Sequence, residues 1–198
     1  MTCPWSWFTI AILYILFDVN YFLRIILTIV WGRLFQKKKK LFEETTIYGL
    51  CTTQDVDLVF KHMNNARYLR ELDFARFQYY DLSGIYAEIS KRGGGAVQGA
   101  SSIRYRRPLP LFTPYKVTTK LIYWDDKNFY LENQFVSISD KFVRAVVLSK
   151  QSVTGLKVPL SEIIAKVEPG AQCPPVTKEL KLWLDSMEES SQRLKKSS

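Results

Sequence analysis

Residues 55–80, DVDLVFKHMNNARYLRELDFARFQYY, decide how the rest of this chain is read. Apolar side chains recur at Tyr68, Leu69, Leu72, Ala75, Phe77, Tyr79 and Tyr80, while Arg67, Arg70, Glu71, Asp73 and Arg76 supply much of the other face. That pattern predicts one long helix with a covered side and a wet side. The Asn64-Asn65 pair makes a good cap, because a short amide accepts from the first unpaired N–H groups of a helix, and Gly84 is a plausible stop. Asp55, Asp57 and the single histidine, His62, stand just ahead of the helix start. A helix N-terminus carries free N–H groups and about half a positive charge, so it can polarise a carbonyl and hold the oxyanion formed on attack. A carboxylate beside it can act as nucleophile or activate water. The same residues also suit a plain role as loop and cap aspartates with a hydrogen-bonded core histidine, and spacing alone does not separate the two.

Working outward, Glu44 to Thr53 reads as a strand ahead of the helix, and Ile85 to Lys91 as an added turn. Four strand-like runs follow, Ala96 to Tyr105, Tyr115 to Trp124, Phe129 to Ser139 and Phe142 to Val153. Asp125-Asp126-Lys127-Asn128 and Asp140-Lys141 supply turns between them, and Pro108, Pro110 and Pro114 make 107–113 a rigid connection. One strand, a helix and four hairpin-linked strands give an α+β pattern with an antiparallel sheet, whose covered face only the helix from Asn65 is long enough to protect. Past Gly155 come a short helix over Ser161 to Lys166 and an amphipathic stretch with Leu180, Trp183, Leu184, Met187 and Leu194 at helical spacing. The chain thus divides into 1–42, 43–158 and 159–198.

From Phe8 to Trp31 there are 24 residues, 15 of them Leu, Ile, Val or Phe, long enough as one helix to cross a bilayer core. Asp18 and Arg24 near mid-span would cost roughly 5 to 7 kcal/mol against about 5 to 9 returned by the apolar residues, so spanning is favoured by a small margin and a tilted or re-entrant helix competes with it. A cleaved signal peptide, which would make the chain secreted or lumenal, lacks a basic start and a small-x-small cleavage site. The reading is therefore a retained membrane anchor with Lys37 to Lys40 as the flank that stays cytosolic.

Of the formal charge of +9, residues 1–42 carry +5, from Arg24, Arg33 and Lys37 to Lys40 against Asp18, which leaves +4 for the remainder. No basic stripe with interleaved aromatics appears there, which argues against nucleic acid as a partner. Cys3, Cys51 and Cys173 are odd in number and scattered, unlike a disulfide framework, and no metal-ligand spacing exists. Cys51 paired with His62 as a nucleophile is a weak alternative, since a lone cysteine in a strand is usually a buried apolar residue. The Arg92-Gly93-Gly94-Gly95 loop reads first as a helix-to-strand turn.

Asp-x-Asp, then His-x-Asn-Asn-Ala-x-Tyr-Leu and Leu-x-x-Ala-Arg resemble the signature of the hot-dog-fold acyl-CoA thioesterases of the 4-hydroxybenzoyl-CoA type. Here the residues are Asp55, Asp57, His62, Asn64, Asn65, Ala66, Tyr68, Leu69, Leu72, Ala75 and Arg76. HMNNARYLRELDFAR, Trp124-Asp125-Asp126 and Phe129-Tyr130-Leu131-Glu132 resemble most closely the branch called thioesterase superfamily member six. The resemblance implies a five-stranded antiparallel sheet wrapped around a central helix, with an N-terminal membrane helix and a C-terminal amphipathic helix. It also implies a homodimer, an acyl-CoA or related thioester as substrate, no cofactor, and the endoplasmic reticulum membrane, where the Lys37 to Lys40 flank would set the domain facing the cytosol. Carried over, Asp57 is the acid, and Asn64 and Asn65 shape the helix entry that polarises the thioester; the residues themselves add His62 to that catalytic set, Asp55 as the alternative acid, and Arg104, Arg106 and Arg107 as weaker contacts for CoA phosphates or simply an exposed strand end. One departure matters. Asp57 to His62 is i to i+5, where the family pattern has i to i+4, so either the loop takes one extra residue and Asp57 still reaches the site, or the acid slot falls on Leu58.

Overall fold

The structure, a computed structural model, describes residues 4–59 and 61–196; Cys3 lies outside that range. In chain order the elements are helices α1 (Pro4–Leu16) and α2 (Val19–Phe35), strand β1 (Thr45–Leu50), helices α3 (Asn65–Ser83) and α4 (Ile85–Lys91), strands β2 (Gly95–Tyr105), β3 (Pro114–Trp124), β4 (Asn128–Ser137) and β5 (Val143–Thr154), and helices α5 (Leu160–Val167) and α6 (Lys178–Lys196). The strands form one antiparallel sheet in the order β1-β3-β4-β5-β2, curved around α3. This is the hot-dog arrangement, and each strand lies within a few residues of its expected place. α3 starts where the asparagines put it: the Asn64 side chain accepts from Ala66 N at 2.9 Å, and Gly84, at φ 75°, closes the other end.

Two apolar clusters fill the space between helix and sheet. One gathers Ile47, Met63, Tyr68, Leu72, Ala75, Val117 and Phe135; the other gathers Tyr79, Tyr80, Ile85, Leu121, Phe129, Leu131 and Ile163. A buried polar belt lies between them. Thr45 pairs with Thr119 across β1 and β3, Thr119 Oγ1 donates to Asn133 Oδ1 at 2.9 Å, and Asn133 Nδ2 donates to Ser149 Oγ at 3.3 Å. Trp124, Tyr130 and Phe135 are core. The amphipathic C-terminal stretch folds back as α6, burying Leu180 and setting Trp183 edge-on to Tyr130.

The N-terminal region is two helices where one was expected over 8–31, a bent pair that together has the length and composition of a broken span or re-entrant loop. The run breaks at Phe17-Asp18, where the Asp18 carboxylate accepts from Tyr21 N and so caps a new helix, and the two helices meet at 75°. Among the described residues no single helix is long and apolar enough to cross a membrane. At about 1.5 Å per residue, α1 and α2 reach roughly 20 and 26 Å, short of a ~30 Å hydrocarbon core.

α2 instead packs on α3, with Tyr21 and Ile25 against the core and its polar residues paired across the seam. Arg24 makes a bidentate pair with Glu71, both bonds at 2.5 Å; Tyr21 Oη donates to Asp73 at 2.9 Å; Arg33 forks onto Asp81; and Arg70 pairs with Asp18. Glu71, expected on a wet face, is therefore fully buried, and Tyr115 Oη donates to it at 2.6 Å. Burial pushes the Glu71 carboxyl above the usual carboxylate range, and the Arg24 charge with the Tyr115 hydrogen bond recovers only part of the shift. Gly49 makes room for this cluster. A Cβ there would stand 2.5 Å from Tyr115 Cζ and 2.6 Å from its hydroxyl oxygen.

Candidate functional site

The site grows out of a tight hairpin ahead of α3. Val56 and Met63 bridge, Asp57 N donates to His62 O at 3.0 Å, and Asn64 N donates to Asp55 O at 2.8 Å, so 55–64 folds back on itself before the helix begins. Leu58, which strict counting would put in the acid slot, points outward at 91% exposure, and Asp57 keeps the carboxylate at the base of the loop.

That carboxylate faces the imidazole. Asp57 Oδ2 lies 3.4 Å from His62 Nε2, Asp57 Oδ1 accepts from Lys61 N at 3.3 Å, and His62 Nδ1 stands 3.2 Å from Met63 O. The two side chains retain 24% and 39% exposure, which leaves water access to both. Beside them the first turn of α3 has little donor capacity left. The Ala66 N–H goes to the Asn64 cap and the Arg67 N–H to the Asn64 carbonyl, so Asn65 N–H is the donor of that turn committed to neither. Asn65 itself is exposed, and its carbonyl accepts from Tyr105 Oη at 2.9 Å.

A cleft of about 170 Å³ opens here, walled by His62, Met63, Asn65 and Tyr68 on one side and by Tyr105 to Pro108 on the other. Arg106 and Arg107 reach it and both lie over the Phe142 ring, with Arg106 Nη1 donating to Val143 O at 3.2 Å. Arg104 is exposed on β2 and does not line the cleft. Asp57 is not in the wall either; it reaches the cleft through His62. Tyr105 was not among the residues singled out from the sequence, although alternation along β2 assigns it to the opposite face from Arg104.

Asp55 is a brace and not a spare acid. It is buried and accepts from Thr52 N, Thr52 Oγ1 and the Arg67 guanidinium at 2.6–3.0 Å. Burial pushes its carboxyl up, but the Thr52 hydrogen bonds and Arg67 outweigh that and hold it below the usual carboxylate range. Cys51 is also spoken for: it is buried, its Sγ is directed at Leu109 O, and burial, with the charges of Asp55 and Glu71, pushes the thiol up to about 11. A thiol so placed is no nucleophile. The Arg92 to Gly95 loop is the turn between α4 and β2, with Gly93 at φ 74° and Arg92 paired to Glu88. Among the described residues no group of three or more His, Cys, Asp or Glu could hold a metal ion.

Larger cavities lie elsewhere. One of about 470 Å³ runs between α2 and the Thr52–Asp55 loop, but its charged walls, Asp18, Arg24, Asp55, Arg67 and Arg70, are already paired with one another or with Glu71. It offers no free acid or base.

Residues 51–184 match the family described as the thioesterase-like superfamily. Protein THEM6 of Drosophila melanogaster is 59% identical over 192 residues, spanning 96% of this chain and 98% of the fly protein. Among solved structures, YbaW, a probable thioesterase from Escherichia coli, superposes with a TM-score of 0.55 at 24% identity over 63% of this chain and 94% of its own. Slr0204, a 1,4-dihydroxy-2-naphthoyl-CoA thioesterase from Synechocystis, superposes with a TM-score of 0.55 at 12% identity over 66% of this chain and 100% of its own. At such identities the two structures speak for the fold alone.

Proposed function

This chain belongs to the thioesterase-like superfamily, and from that premise we propose that it hydrolyses the thioester of a long-chain acyl-CoA at the start of α3. The observation that carries the reading is the Asp57–His62 pair, 3.4 Å apart, whose imidazole lines the same cleft as Asn65 at the start of α3. Water held by the pair adds to the thioester carbon and gives up its proton to it. The developing oxyanion meets the Asn65 N–H and the positive end of the helix; the C–S bond then breaks and the CoA sulfur leaves with the proton. Asn64 orients the donor by capping the turn. Arg106 and Arg107 would neutralise CoA phosphates, while Arg104 lies outside this cleft.

The cleft of about 170 Å³ is smaller than the ~300–1,000 Å³ of ordinary ligand sites, which supports a homodimer in which a second copy completes the wall. The exposed β2 edge is the natural seam for such pairing. Membrane attachment through residues 1–42 would deliver substrate from the lipid phase. The basic flank favours the cytosolic face, with the endoplasmic reticulum as the location this reading carries.

A second reading has its own support. Asp57 faces His62 and not the cleft, as expected of a non-catalytic hot-dog scaffold that binds acyl groups or proteins. Thiol release from a panel of acyl-CoA esters, measured on the full chain and on Asp57→Asn, separates the two. Turnover lost in the variant supports hydrolysis; saturable acyl-CoA binding without turnover at any chain length supports the scaffold. The full chain is required, because cutting at 42 strips Arg24 from the buried Glu71.

A further inference from the structure

α2 is built inside out. Its docked face carries Tyr21, Arg24, Thr28 and Gly32, spaced by three or four residues, with Ile25 the apolar side chain among them that packs on the core. Its outward face carries Phe22, Leu23, Ile26, Leu27, Val30, Trp31, Leu34 and Phe35, in pairs that recur every four residues over four turns, each 45–70% exposed. A helix on a protein standing in water shows the reverse order. The stripe contains no charged or hydrogen-bonding side chain apart from the Trp31 indole, and an unbroken exposed apolar face of this length marks an interaction surface. At its C-terminal end Lys37, Lys39 and Lys40 follow in sequence, none of them in a salt bridge among the described residues, while Arg33 and Lys38 are held by Asp81.

We propose that this stripe is a membrane-facing surface: α2 lies along the lipid–water boundary of an anionic bilayer, immersed on its apolar side while still docked on α3, and does not cross. Charge and geometry support lipid over a protein occupant. A lipid interface accepts a straight apolar stripe with cations at its end, where acyl carbon meets phosphate. The two charges that make a span expensive, Asp18 and Arg24, are satisfied by Arg70 and Glu71, and pulling α2 away to thread it through a bilayer would leave Glu71 buried without its counter-ion. The surface also fixes orientation. Because α2 and α3 form one packed unit, the bilayer plane runs along α3, and a groove of about 470 Å³ between α2 and β1, lined by Leu27, Trp31, Leu34, Phe35 and Ile47, opens beside it. The proposal shares with the preceding reading only the attachment of residues 1–42 to lipid, and stands whether or not the site hydrolyses anything.

Two measurements on the full chain test it. The first is flotation with phosphatidylcholine vesicles, with and without phosphatidylserine, comparing the parent with Leu27→Glu/Trp31→Glu. Partitioning should fall by about 100-fold in the variant, and the parent should bind more tightly to vesicles containing phosphatidylserine. Thermal unfolding and thiol release from a soluble short-chain acyl-CoA should be unchanged in the variant, which separates lost lipid binding from lost folding or lost chemistry. The second is protease accessibility in sealed vesicles of chain bearing an N-terminal epitope. The epitope and the α6 tail should be digested together from the outer side. An epitope protected while the tail is cut, flotation that survives the double substitution, or a parent that ignores vesicles and forms dimers dissolved by the same substitution would each overturn the proposal. The last outcome would assign the stripe to a second copy.

Discussion

Replacing Arg24 with Met leaves Glu71 fully buried, with the Tyr115 hydroxyl as its remaining partner. Removing one member of a buried pair costs about 3–5 kcal/mol, because the other charge stays desolvated. The Arg24 side chain is 32% exposed, so water can replace part of it, and the expected loss sits at the low end, about 3 kcal/mol. For a chain of this size that lowers the melting temperature by roughly 6–12 °C. The loss should depend on pH. The folded-state pKa of Glu71 is raised, so as pH rises the unfolded chain releases this proton first; the group's contribution is fully present below the unfolded value of about 4.3 and is lost as pH rises through the folded one. Without Arg24 that pKa rises further, so the deficit should be largest at pH 7.5 and should shrink towards pH 5. Circular-dichroism melts in mild detergent at both pH values measure it. The double variant Arg24→Met/Glu71→Leu, with both charges gone, should recover most of the loss. An Arg24→Met chain that melts within about 2 °C of the parent at pH 7.5, or a double variant no better than the single, would refute the argument that this pair is a buried lock.

Three other outcomes follow from the same packing. Gly49→Ala should destabilise by about 1–3 kcal/mol, seen as a lower urea midpoint, because its Cβ would sit 2.5 Å from the Tyr115 ring; a neutral result would mean that the ring moves aside freely. Asp55→Asn should lower stability at pH 7. The folded Asp55 pKa is lowered, so its contribution is present above the unfolded value of about 3.9 and is lost as pH falls through the folded one. The gap between Asp55→Asn and the parent should therefore close in acid, and a gap that is flat with pH would contradict the assigned brace. Cys51, with its thiol pushed up to about 11, should resist iodoacetamide at pH 8 while exposed Cys173 is alkylated, as peptide mapping would show; comparable labelling of both in folded chain would contradict its burial.

Much of the fold is legible in the sequence, because periodicity reports local structure and the hot-dog domain is built from strongly patterned elements. The Asn64 cap, the Gly84 stop and all five strands stand close to where alternation and turn residues place them. The candidate site is legible in part. His62 pairs with Asp57 and lines one cleft with Asn65, but Asp57, Asn64 and Arg104 do not line it, and the outward turn of Leu58 depends on how a hairpin closes, which spacing does not encode. The N-terminal region misleads for a physical reason. Hydropathy summed over 24 residues treats Asp18 and Arg24 as costs, while their helical spacing with Tyr21, Thr28 and Gly32 marks a face made for another helix. That face also explains Glu71, whose charge looks like solvent exposure until a partner 47 residues upstream is placed against it.

The polar belt across the sheet carries a consequence for how the strands find one another. Oily side chains forgive misalignment, since leucine against valine serves nearly as well as leucine against phenylalanine. Thr119, Asn133 and Ser149 do not, because sliding β3 by two residues along β4 would set the threonine opposite Leu131 or Phe135 and strand the carboxamide in a dry interior. These three small side chains therefore act as the key that tells the correct pairing from its near copies.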